Sequence, residues 1–75
     1  MVRIGNFEIQ PRPYRLAESG RWMTQVTLVE HGDNQMRFIP WSASNTWETE
    51  VEAVHRSVEL GIYALRQRGV IPDAA

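Results

Sequence analysis

The chain has 75 residues, with eight Arg, no Lys, nine Asp and Glu, two His and no Cys, for a formal net charge of −1. That length holds a single domain spanning 1–75; the lack of cysteine excludes disulfides, thiolate metal sites and cysteine catalysis, and His31 and His55 alone are too few to hold a structural zinc. A hydrophobic share of 43% with 23% charged residues is the composition of a folded chain rather than a disordered one, and the near-neutral balance supplies no overall basic field to draw in nucleic acid. Folding at this size hides only about 60% of the surface of the unfolded chain. Once disulfides and metals are removed, self-association is the staple left to so small a core. The start Met1-Val2-Arg3-Ile4-Gly5-Asn6 lacks the apolar run of a signal peptide, and no apolar stretch approaches the ~18 residues of a membrane span. The expectation is a cytoplasmic protein. Arg-only basicity is explained well enough by codon bias in a GC-rich genome.

Phe7 and Ile9 alternate with Glu8, Gln10 and Arg12, the period of a half-buried strand. Pro11 and Pro13 remove two ladder donors, which predicts an edge strand kinked near its end, with pairing resumed at Tyr14 and Leu16. Glu18-Ser19-Gly20 supplies a turn. Strand two runs from about Trp22 to Glu30 and is rich in Val, Thr and Leu. His31-Gly32-Asp33-Asn34 reads as a hairpin turn. Strand three follows at Met36-Arg37-Phe38-Ile39, and Pro40 ends or edges it. Residues 41–47 read as a loop holding Trp41 and Trp47, with Trp47 expected to fold back over the helix start and Trp41 balanced between core and surface.

The period then changes to 3.6. Thr49 and Glu52 have the spacing of a capping box, as do Asn45 and Glu48 one turn earlier. Val51, Val54, Val58, Ile62 and Leu65 form one stripe, flanked by Ala53, Ser57, Gly61 and Ala64. Glu52 and Arg56 are an i,i+4 pair in the favourable order. Gly69 is placed to cap the C-terminus, Pro72 stops continuation, and the tail 72–75 is expected to be loose. The fold class is therefore α+β: a three-stranded antiparallel meander followed by one long amphipathic helix lying on one sheet face (βββα).

One helix covers one face. With Phe7, Ile9, Trp22, Val26, Leu28, Met36 and Phe38 assigned to the helix side, alternation sends Met23, Gln25, Thr27 and Val29 to the open side, together with Arg37, Ile39 and Trp41 from strand three and Glu8, Gln10 and Arg12 from strand one. A solvated face is normally almost wholly polar. The predicted interaction surface is thus Met23, Val29, Ile39 and Trp41, with Arg12 and Arg37 at a polar rim. A one-residue shift in strand three exchanges its faces.

The run Phe38-Ile39-Pro40, the following loop, then Trp47-Glu48-Thr49-Glu50 with Glu52-Ala53 opening a helix that contains Gly61, resembles a group of small bacterial βββα proteins without assigned activity. The similarity covers roughly residues 22–65. Members often carry Arg directly after the helix Gly, where Ile62 stands here, and the resemblance implies no catalytic residue. The order of elements is also similar to the second half of a double-stranded-RNA-binding domain, but the helix start carries Glu48, Glu50 and Glu52, which complement the helix dipole and repel phosphate.

Catalytic constellations are weak. His31 beside Asp33 lacks a nucleophile, His55 and Glu59 are spaced for a surface hydrogen bond, and the three carboxylates at residues 48, 50 and 52 spread around the helix start rather than converging on a metal. The expectation is a non-enzymatic interaction module without cofactor or metal, homodimeric or bound to another protein through the open sheet face or strand edges. The competing expectation is a nucleic-acid-binding domain using Arg12, Arg15, Arg21 and Arg37 with Trp41 for stacking, disfavoured by the net charge and by Glu8 and Glu30 nearby.

Overall fold

The computed structural model describes residues 2–72; the tail expected to be loose lies, apart from Pro72, outside them. Among these residues the chain forms β1 (Val2–Ile4), β2 (Phe7–Pro11), β3 (Tyr14–Arg15), β4 (Trp22–His31), β5 (Met36–Trp47) and α1 (Glu50–Gln67). It is an α+β fold with one antiparallel sheet and a C-terminal helix, and its sheet has five strands where the sequence predicts three.

The two extra strands have local causes. Gly5 has φ 57°, the left-handed geometry required at the first central position of a two-residue hairpin turn. Val2–Ile4 is thereby folded back onto β2, with Ile4 opposite Phe7 and Val2 opposite Ile9. Hence β2 is an inner strand rather than the expected edge. The Pro11-Arg12-Pro13 kink splits the strand predicted from Phe7 onward into β2 and β3. Both pair with β4, Ile9 opposite Leu28 and Tyr14 opposite Met23.

β4 is the centre of the sheet. Arg12 N–H donates to Gln25 C=O, and His31 N–H donates to Asn6 C=O, both at 2.8 Å. Backbone groups alternate in direction along an antiparallel strand, so the even residues Thr24 to Glu30 turn theirs to β5. Their register partners are Ala43, Trp41, Ile39 and Arg37. Phe38, Pro40 and Ser42 therefore direct their backbone groups to the free edge, where the N–H that proline lacks is not needed. For that reason Pro40 does not end the strand. Residues 41–47, expected to be a loop, continue β5 to Trp47. Two unpaired residues, Ser44 and Asn45, bulge the strand between Ala43 and Thr46. The buried hydroxyl of Thr24 staples this bulge: it donates to Asn45 C=O at 3.1 Å and accepts from Trp47 Nε1 at 2.7 Å.

α1 lies over β2, β4 and β5. Thr49 is the N-cap, its hydroxyl accepting from Glu52 N–H. At the other end Gly69 N–H bonds Arg66 C=O and Val70 N–H bonds Leu65 C=O, the paired bonds of a Schellman motif, with Gly69 at φ 77° in the left-handed position. The stripe that meets the sheet is not the predicted one. Ala53, Ser57, Gly61, Ala64 and Leu65 are buried, whereas Val51 is 70% exposed and Val54, Val58 and Ile62 are half-buried flanks. The core consists of Phe7, Ile9, Val26, Leu28, Ala64 and Leu65, with Ile4, Ile39, Trp41, Val58, Leu60 and Val70 against it. Arg56 bonds Glu59 at 2.9 Å and lies 4.8 Å from the centre of the Trp47 ring, in place of the expected Glu52 pair.

Candidate interaction face

The helix covers one face of the sheet and leaves the other bare. β5 meets β4 in a register that sets Ile39 opposite Leu28 and Trp41 opposite Val26. Leu28 and Val26 face the helix, so Ile39 and Trp41 face it too. Both lie against the core, and the Trp41 ring meets Tyr63 of the helix edge-on, centroids 6.2 Å apart. Arg37 shares that side, its Nη1 3.3 Å from Glu30 Oε1. Three of the six residues predicted to form the interaction surface, Arg37, Ile39 and Trp41, are therefore on the opposite face. The one-residue shift that exchanges the faces of the strand is the arrangement found.

Two residues expected on the helix side take their place. Phe38 and Met36 stand on the open face, 61% and 54% exposed, and Pro40 beside them is also exposed. Phe38 is opposite Val29, which in turn is opposite Glu8; Met36 is opposite His31. Met23 and Val29 are on the open face as predicted. Val29 is buried between its neighbours, so it is the floor of the patch rather than its surface. Tyr14 and Met23 continue the apolar groups toward the far end, in register with Thr46.

Alternation sets Phe38 and Pro40 on the face opposite Ile39 and Trp41 in either register, so it does not by itself show which of the two faces is bare.

Across β4 from the apolar column of β5, β2 carries a polar one. Arg12 Nη2 donates to Gln10 Oε1 at 2.8 Å, Gln10 Nε2 donates to Glu8 Oε2 at 3.4 Å, and the other Glu8 oxygen meets His31 Nε2. The hydrogen bond from the His31 ring holds the Glu8 carboxyl below its ordinary range; partial burial opposes this, while Gln10 and the charges of His31 and Arg3 reinforce it. His31 is the last residue of β4 and not a turn residue; the turn proper is closed by Gly32 N–H on Gln35 C=O. His31 is thus joined to Glu8 and not to the neighbouring Asp33.

Compared with protein-family models, curated proteins and solved structures, the chain matches none. Among the described residues no three His, Asp or Glu side chains converge as a metal site would need, and no helix is long and apolar enough to cross a membrane. In a shallow groove on the helix side, lined by Thr24, Ala43, Asn45, Trp47, Arg56, Glu59 and Leu60, Arg56 is on Glu59 and Trp47, and Trp47 is on Thr24.

Proposed function

We propose that this protein is a non-enzymatic interaction module that self-associates through its open sheet face. The observation carrying the reading is the exposed pair Phe38 and Met36 on that face, standing over buried Val29 and beside exposed Pro40. Large aromatic and thioether side chains left bare on a flat surface favour burial against a partner. A second copy is the favoured partner because two such faces reach the size a specific contact needs. The strand residues, three in β1, five in β2, two in β3, ten in β4 and twelve in β5, at about 3.3 Å by about 4.8 Å each give a face of roughly 500 Å². Two such faces bury about 1,000 Å², the size a specific interface has to clear.

The face is favoured over the sheet edge. Edge-to-edge pairing along β5 meets the missing donor of Pro40 and the charge of Arg37, devices that blunt an edge. Nucleic acid is the weaker reading, since Trp41 and Arg37, on which it relied, belong to the helix side.

Replacing Phe38, which is exposed, leaves the core untouched, whereas a charge at Ile39 would disturb it. Phe38→Glu is expected to convert a dimer to a monomer in sedimentation equilibrium with the helical circular dichroism signal unchanged. A dimer of unaltered affinity would refute the proposed surface.

A further inference from the structure

Resting on the reading of the open face as a self-association surface, the charge order along β2 points to the symmetry of the pair. We propose that two copies stack open face to open face about a two-fold axis that runs across the strands through the row Pro40, Thr27 and Gln10, so that Glu8 of each copy meets the partner's Arg12.

The argument begins with three residues of one strand path that share a face. Glu8, Gln10 and Arg12 are linked by the hydrogen bonds described above, which fixes their side chains on one side. Anion and cation stand two residues before and two residues after a neutral centre. A closed dimer interface is isologous, each residue meeting its symmetry-related position. An axis along β2 places Glu8 over the partner's Glu8 and Arg12 over the partner's Arg12, two like-charge contacts, and an axis along β4 sets Glu8 over the partner's Phe38, a charge against an aromatic ring, because Glu8, Val29 and Phe38 share one row. An axis across the strands at Gln10 exchanges the ends of the column and makes two opposite-charge contacts in their place.

The register carries the same axis over the rest of the face. Gln10 is opposite Thr27, and Thr27 is opposite Pro40, so the axis follows one row of the sheet. Phe38 and Ser42 stand on either side of Pro40 on β5. Phe38 therefore falls over the partner's Ser42, a small side chain that leaves room for the ring, as facing layers require. The product is a helix–sheet–sheet–helix sandwich with the two sheets about 10 Å apart and strands close to aligned, the common geometry of stacked sheets.

The test exchanges the charges. Arg12→Glu alone and Glu8→Arg alone each place two like-charge pairs across the interface, and each is expected to raise the dimer dissociation constant roughly 10- to 100-fold. The double variant E8R/R12E restores opposite charges in this symmetry and is expected to return the constant close to that of the unaltered protein. Arg12 is exposed, so Arg12→Glu keeps its fold even if Glu8→Arg, which also removes the His31 contact, does not. Its weakened association should be relieved in salt of about 1 M, where such repulsion is screened, while that of Phe38→Glu should not. A monomeric unaltered protein overturns both the symmetry and the self-association reading. A dimer that Phe38→Glu dissociates but that Arg12→Glu leaves intact, or a double variant with an unaltered helical circular dichroism signal that stays dissociated, overturns the symmetry alone.

Discussion

Gly61 is the point of closest approach between helix and sheet. A Cβ there would lie 2.6 Å from Ile9 Cγ2 and 3.3 Å from Val26 Cγ2, both on fully buried β-branched side chains. Ala gains about 1 kcal/mol of helix propensity over Gly, but overfilling a packed core costs about 1–3 kcal/mol. Gly61→Ala is therefore expected to destabilise, lowering Tm by roughly 5 °C for a domain of this size; a raised Tm in thermal unfolding would show that the contact relaxes. Ser57, one helical turn earlier, is small for a second reason. Beside the Pro11–Pro13 kink, Gln25 C=O is taken by Arg12 N–H, and the buried Ser57 hydroxyl accepts the Gln25 N–H at 3.2 Å. The sequence showed the right helix and its N-cap but ranked its faces by side-chain size. Large sheet residues such as Ile9 and Leu28 fill the space between the layers, so the helix presents its smallest residues at the contact. Hydrophobicity along α1 alone does not reveal that.

At the scale of elements, β5 decides which face is bare. Its first half was legible from Met36 to Ile39, but its register was not, because apolar residues occupy both parities at Met36, Phe38, Ile39 and Trp41. Its second half was not legible either: Ser42 to Thr46 are loop-forming residues held in a strand by the Thr24 staple and by Arg21, whose Nε donates to Thr46 Oγ1 at 2.7 Å. β1 escaped notice because three residues carry too little alternation to register as a strand. Pro40, read as a stop, instead guards an exposed edge. Pro40→Val restores an N–H aimed at the free edge and is expected to promote edge-to-edge association, seen as species heavier than the dimer in light scattering at high protein concentration. A variant that scatters no more than the unaltered protein would show that the proline has no such role.

For the whole molecule, the layered arrangement of one helix on one sheet was legible, and the bareness of the second face followed from it, since a single helix covers only one side. The identity of the groups on that face was legible only in part: Met23, Val29 and Arg12 were placed correctly, and Phe38 and Met36 were not. Acid should weaken the fold through this same face. The carboxyl of Glu8 titrates lower in the folded chain than in the unfolded one, so its contribution is fully present above the ordinary carboxylate value and is lost as pH falls through the depressed one. Denaturant midpoints compared at about pH 6 and about pH 3 should fall less for Glu8→Gln than for the unaltered protein; an equal fall would remove the Glu8–His31 contact from the balance. The most direct measurement is the mass in solution, by size-exclusion chromatography with light scattering. Association through the open face predicts twice the 8.7 kDa of the single chain, at low and at high salt alike because exposed Phe38 and Met36, which salt does not screen, drive the contact. A mass of one chain at both would contradict it.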